Sequence, residues 1–366
     1  MSPMSRTPLL ALALAVLPAT IGAQSSERRN EREVERSIER MAEQIAAAAE
    51  RIATRAGKQA TLMAERLERE FDRKRTSDPD WRWEDDDVDV QQLRTRIDTT
   101  VAFSPDGTID LSNLSGDIIV TGWSRREVHI KATSERSNLD LDISSSRISL
   151  EIEGRGSWGS RSRGETRYEV SVPRGARVFA RSTSGDVTLR GTGGEVDAGS
   201  TSGDVLVEDA ARRIELSSVS GDVTGRALKG TIEATSVSGS VEVENAEGEV
   251  HAGTTSGDVV LTNVTSRDVE ASTTSGEITF SGDLAADGRY EFHSHSGTVQ
   301  LTIPASVNAR FSVETFSGEL DSAFPITLQP GDRSSRRPRR FEFTVGNGGA
   351  RVIAETFSGD LEIRKR

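Results

Sequence analysis

Asp186, Asp204 and Asp222 recur eighteen residues apart, each directly after a Ser-Gly pair. Stacked one above another they would form a line of hard oxygen ligands of the kind that holds calcium. The column continues as Ser240, Asp258, Glu277, Thr298 and Glu319, so the carboxylates are interrupted. The nonapeptide glycine-aspartate repeat of calcium-binding β-rolls is missing as well. His293 and His295 would place two imidazoles on one face of a strand, the beginning of a metal site, but no third ligand is evident nearby. His295 shares a column with Phe316 and Phe357, and packing against Phe316 is the expectation. Hydrolysis or elimination on a polysaccharide needs two or three carboxylates converging on one bond with a tuned proton donor. Aspartates repeated evenly at one place in a coil are what structure demands and catalysis does not. No nucleophile elbow or phosphate-cradling glycine loop is present, and the chain contains no cysteine. No catalytic, cofactor-binding or metal-ligating residue is therefore expected.

The elements that place these residues follow from their spacing. The glycines of the Ser-Gly-Asp tripeptide stand at Gly185, Gly203, Gly221, Gly239 and Gly257, then at Gly276, Gly297 and Gly318, with Gly116 upstream and Gly359 after a longer interval. Periods near twenty residues mean stacked structural units. Seven positions before the glycine stand Val178, Val196, Ile214, Ile232, Val250, Val269, Tyr290, Phe311 and Val352. Five before it stand Ala180, Ala198, Leu216, Ala234, Ala252, Ala271, Phe292, Val313 and Ala354. Two after it stand Val187, Val205, Val223, Val241, Val259, Ile278, Val299, Leu320 and Leu361. Polar residues alternate between the columns, the period of strands with one face inward. Each repeat thus holds two short strands joined at a Ser-Gly-Asp corner, where glycine supplies backbone freedom and Ser and Asp bond to turn amides. The fold class expected is an all-β solenoid of about ten coils. Tyr290, Phe292, Phe311, Phe316 and Phe357 are expected to fill its wider C-terminal coils, and the alternating segment Ile97–Val172 to form the first coils and their cap.

Ser-Gly-Asp coils, a strand ending in Val172-Pro173-Arg174-Gly175 and the closing stretch GNGGARVIAETFSGDLEI (Gly346–Ile363) together resemble the bacterial adhesin-like β-helix family. That resemblance covers about Ile97 to Ile363. It implies a domain of unknown function on an envelope protein, and it carries over no catalytic residue.

The rest of the chain differs in kind. Residues 1–23 read as a secretory signal: Arg6, the apolar run Leu9–Leu17, Pro18, and a small residue at Ala23 for cleavage. Residues 24–76 are expected to form a long charged helix, with Val34, Ile38, Met41, Ile45, Ile52, Ala56, Met63, Leu67 and Phe71 on one stripe. Columns of Glu and Arg beside that stripe suit either a coiled-coil homo-oligomer or a single amphipathic helix. Residues 77–95, with the acidic run around Asp85–Asp87 and the pair Trp81 and Trp83, read as a linker, and 96–366 as the solenoid. Arg333–Arg340 (RSSRRPRR) falls in a loop leaving the coils, free to stay solvated or to meet an anionic envelope polymer or the acidic linker. Over 366 residues the net charge is −12, which gives no electrostatic reason to bind nucleic acid or anionic lipid. The expected protein is an exported, non-enzymatic envelope scaffold or adhesin-like binding module. Its partner would be an envelope polymer or protein, in the periplasm, on the cell surface or secreted. The alternative is a carbohydrate-active β-helix enzyme.

Overall fold

A computed structural model describes residues 95–135, 138–152, 165–325 and 339–366. Regular structure among them is strand throughout, in twenty-two segments, with no helix. The fold class of the described residues is thereby corrected to all-β, and the long helix expected ahead of the solenoid has no support among them. The segments expected as signal, helix and acidic linker lie outside the described residues, as does most of the arginine run.

The first eight strands are β1 (Thr95–Ala102), β2 (Thr108–Ser115), β3 (Ile118–Trp123), β4 (Glu127–Ser134), β5 (Leu139–Ile143), β6 (Arg147–Ile152), β7 (Thr166–Pro173) and β8 (Arg177–Ser184). The regular coils continue as β9 (Val187–Arg190), β10 (Val196–Ser200), β11 (Val205–Ser218), β12 (Val223–Thr235), β13 (Val241–Glu244), β14 (Glu247–Ser256), β15 (Val259–Ser275), β16 (Ile278–Ser296) and β17 (Val299–Ile303). They close with β18 (Ala309–Ser317), β19 (Leu320–Ser322), β20 (Arg339–Val345), β21 (Ala350–Ser358) and β22 (Leu361–Lys365).

These strands build two ladders that meet at the glycine corners. The first, formed by the residues before each corner, runs β5-β6-β2-β8-β10-β11-β12-β14-β15-β16-β21-β18-β20. The second, formed by those after it, runs β1-β4-β7-β3-β9-β11-β12-β13-β15-β16-β17-β22-β19. Between the ends all pairing is parallel and equivalent residues face each other, as in Val205↔Val223↔Val241 and Ile214↔Ile232↔Val250. At the ends, β1, β4, β5 and β20 pair antiparallel.

The order of layers departs from the order of the chain at both ends. The coil of β2 and β3, first in sequence, lies between β6–β7 and β8–β9. The coil of β21 and β22, last in sequence, lies between β16–β17 and β18–β19. The chain reaches that inner position by crossing β18 on its outer edge as β20, then turning at Gly346–Gly349. Gly346 and Gly348 have φ of 60° and 69° there, and Asn308 Oδ1 accepts a hydrogen bond from the Asn347 amide at 2.9 Å. The GNGG stretch is thus the hinge that returns the chain beneath its own neighbour.

The core is the space between the ladders. The three apolar columns expected from the sequence point into it, and of their members only Leu320 is partly rather than fully buried. Tyr290, Phe292 and Phe311 fill the C-terminal layers as expected. Phe316 and Phe357 do not: they stand on the outward row two residues before the glycine, and Phe316 is 36% exposed.

A second corner lies six residues after the glycine, at Gly191, Asp209, Ala227, Asn245 and Asn263, all with φ between 53° and 70°. Left-handed backbone suits Gly, Asn and Asp and strains Ala. Asn263 Nδ2 already donates to Asn245 Oδ1 at 2.5 Å in the neighbouring layer. Ala227→Asn should therefore relieve strain and lengthen the amide row, stabilising by about 1 kcal/mol, which corresponds to a rise of roughly 2–4 °C in Tm. A thermal melt of the variant against the parent measures this.

Candidate functional site

The corner glycine faces the glycine of the preceding layer. In stack order the column reads Gly116, Gly185, Gly203, Gly221, Gly239, Gly257, Gly276, Gly297, Gly359 and Gly318. From Gly185 onward, a Cβ on any of them would lie 1.9–2.4 Å from the carbonyl oxygen of the glycine before it. Gly203 does not have left-handed φ, so what it needs there is space for a neighbouring backbone.

Two side-chain columns close round each corner. Three residues before the glycine, Ser200, Ser218, Ser236, Thr254 and Thr273 donate their hydroxyls to the carbonyls of Gly185, Gly203, Gly221, Gly239 and Gly257 at 2.8–3.0 Å. Asn113 begins this column and Thr356 and Thr315 end it. One residue after the glycine, the Oδ1 atoms of Asp186, Asp204, Asp222 and Asp258 accept the amides of Asp204, Asp222, Ser240 and Glu277 at 2.8–2.9 Å. The aspartate column therefore stitches layer to layer. The turn-amide role expected from the sequence is correct in kind, but the amide belongs to the next coil.

Away from the corner, the outward surfaces of the two ladders differ. On the second, Arg190, Glu208, Arg226 and Glu244 stack with alternating sign, linked at 2.6, 3.7 and 3.5 Å. On the first, the row six residues before the glycine reads Asp197, Glu215, Glu233, His251, Glu270 and Glu291 in successive layers. Beside it runs a row of small residues, Gly199, Ser217, Thr235, Gly253 and Ser272, through the same registers. Arg213 approaches Glu215 at 3.8 Å and Arg289 approaches Glu291 at 2.8 Å. The stripe is thus acidic along its length, with arginines at its border.

Two histidines temper it. His251 Nδ1 lies 3.4 Å from Glu270 in the next layer and its Nε2 lies 3.0 Å from Glu249 on the same strand. The bond to Glu270 is the main cause that lifts its pKa from 6.5 to about 9, with burial opposing. His293 is pulled down by burial, but its bond to Glu355 at 3.3 Å and the charges of Glu355, Glu291 and Glu270 outweigh this and raise it. Asp197 is raised, first by burial and then by the charges of Glu215 and Asp110, against the opposing pull of Arg181. Arg181 holds its Oδ2, while Oδ1 is enclosed without a partner.

His293 and His295 share the outward face, as expected, but are engaged separately. His295 stacks on Phe357 at 5.0 Å, and Phe357 on Phe316 at 4.9 Å, with ring planes within 10°. The expectation that His295 packs on Phe316 is corrected: the inserted last coil comes between them. Among the described residues no three His, Asp or Glu side chains gather into a metal-holding cluster.

The sequence profile named Toastrack DUF4097 matches residues 108–364, from β2 into β22. The chain belongs to the Toastrack family. The Toastrack domain here is also similar to several solved structures. One is a "putative adhesin" from Parabacteroides merdae, 9% identical with a TM-score of 0.34, covering 74% of this chain and 96% of that one. A second "putative adhesin", from Bacteroides fragilis, is 12% identical with a TM-score of 0.32, at 74% and 97% coverage. A "putative cell adhesion protein" from Clostridium sporogenes is 10% identical with a TM-score of 0.21, at 74% and 100% coverage. No curated protein matches the chain in sequence.

Neither the hydroxyl column nor the acidic stripe of this Toastrack domain is among the residues expected from the sequence. Both are visible on aligning the repeats, at three and six residues before the glycine. Two outcomes follow from the geometry. Gly203→Ala should lose about 3 kcal/mol, the upper end of ordinary overpacking, because its methyl would meet the Gly185 carbonyl at 2.2 Å. Gly193→Ala, whose nearest neighbour would be at 3.3 Å, should lose less than about 1 kcal/mol; denaturant titration of the two separates contact from propensity. His251 has a folded pKa above its ordinary value, so its contribution is full below 6.5 and is lost as pH rises through about 9. With a third of the side chain in solvent, that contribution is on the order of 1 kcal/mol after screening. Melting curves across this window should fall less steeply for His251→Gln than for the parent.

Proposed function

We propose that this Toastrack domain is an exported, non-enzymatic β-solenoid that serves as an envelope scaffold or adhesin-like binding module, with the acidic stripe of the first ladder as its contact surface. The observation that carries this reading is the disposition of the carboxylates. They are set out layer after layer on the outer face of a sheet, interrupted by His251, at about 4.8 Å intervals, where a long partner meets many of them in succession. Acid–base hydrolysis would need one carboxyl with a raised pKa open to the scissile bond. Asp197 has the raised pKa, but its Oδ1 is enclosed and its Oδ2 is held by Arg181, so its proton has no path to a ligand. Export rests on the signal-like sequence of residues 1–23, and the lack of cysteine fits a fold that survives outside the cytoplasm by packing alone.

The test is a glycan, cell-wall-polymer and envelope-protein binding array probed with the full chain lacking residues 1–23. Binding should weaken about tenfold or more in Glu215→Lys/Glu233→Lys/Glu270→Lys, in keeping with loss of several charge contacts. Glu242→Lys, on the outward face of the second ladder, should bind as the parent does. Release of reducing sugar ends by the parent, abolished in Glu215→Gln, would overturn the reading in favour of a carbohydrate-active enzyme.

A further inference from the structure

The two ends of the stack are built alike and charged differently. On the first ladder one end finishes in β5 and the other in β20. Among the described residues β5 pairs only with β6, and β20 only with β18. Among those residues each thus has an outer edge of backbone donors and acceptors without a strand partner, the feature that recruits further strands. Both run antiparallel to the coil strand they cover, so they point the same way. A second copy translated along the stack would bring β20 of one chain beside β5 of the next as a parallel pair.

The side chains agree with that pairing. Leu139, Leu141 and Ile143 of β5 alternate with exposed Asp140 and Asp142, and Ile143 is itself 39% exposed. Phe341, Phe343 and Val345 of β20 alternate with exposed Arg340, Glu342 and Thr344. Apolar residues at both ends would continue one core row, and Arg340 would join the outward row that holds Asp140 and Asp142. The sequence leading into each end adds to the contrast. Glu84, Asp85, Asp86, Asp87 and Asp89 shortly precede β1, which ends the second ladder at the end of the stack where β5 ends the first. Arg333, Arg336 and Arg337 shortly precede β20.

We propose that copies of this chain associate head to tail, the β20 edge of one docking on the β5 edge of the next. Such a contact is heterologous, so it extends from copy to copy without closing. Opposite charges steer it, and salt weakens it as the screening length falls to about 8 Å or less.

Sedimentation velocity of the full chain at low and high salt tests the proposal with a charge swap. The parent should form a concentration-dependent series of oligomers at low salt that recedes at high salt. Asp140→Lys/Asp142→Lys and Arg339→Glu/Arg340→Glu should each associate about tenfold more weakly than the parent, with unchanged melting temperatures showing that both fold. Mixed in equal amounts, the two variants carry complementary ends again and should re-form the series. A parent that stays monomeric at about 0.1 mM, the range of weak contacts, would overturn the proposal. So would variants that associate like the parent, or a mixture no larger than its components. None of these outcomes bears on the binding array, which concerns the outward face and not the ends.

Discussion

From Gly185 onward, at each glycine corner the glycine Cα lies against the carbonyl oxygen of the glycine one layer before, and there is no room between them for a methyl group. The rest of the architecture depends on this contact. Because the corners superpose, strands on either side fall into register residue for residue, and like residues stack on like. The buried hydroxyl three positions earlier then reaches the same carbonyl, and the aspartate one position later reaches the next amide. Each such bond contributes only about 1 kcal/mol net, but the hydroxyl bonds satisfy carbonyls that the tight corner would otherwise enclose unpaired, and the aspartate bonds tie the layers together at its exposed rim.

Strict superposition has an electrostatic result. A residue type favoured at one outward position is repeated at the coil spacing, so any charge preference becomes a row. The second ladder answers by alternating Arg and Glu between layers. The first keeps one sign and sets imidazoles among the carboxylates, His251 in the row itself and His293 beside it. Like charges directly opposite each other on neighbouring strands destabilise a sheet, so the acidic row is kept at a cost that the alternating row avoids. The stripe and not the ion-pair row is therefore where a partner would return stability to the fold.

Much of the fold was legible in the sequence because the period is short and its apolar positions are pure. The columns seven and five before the glycine and two after it identify the core from Val178 to Leu361 almost without exception. Phe316 and Phe357, expected in the core, stand on the outward row because they differ in parity from Phe311 and Val352, and parity outweighs ring size there. The acidic stripe was hidden for a different reason. Its members are surface residues, which composition treats as ordinary solvation and which become one feature only when layers stack. The order of the end coils could not be read from spacing at all. Periodicity says that Gly318 and Gly359 belong to coils, whereas which coil neighbours which depends on pairings across forty or more residues of chain. His295 resting on Phe357 and not on Phe316 is the local trace of that long-range choice.

The inserted final coil bears on how the domain is made. Strands of a solenoid can ordinarily add one layer at a time as the chain emerges, each finding its template already in place. Here the layer of β18 and β19 emerges before the layer that separates it from β16 and β17. Until β21 and β22 arrive, β18 has either no parallel template or the wrong one, and any premature pairing with β16 must be undone. Assembly at this end is consequently a closing step that waits for the last residues to Lys365, so a chain stopped short of them would lack an inner layer and not merely a tail.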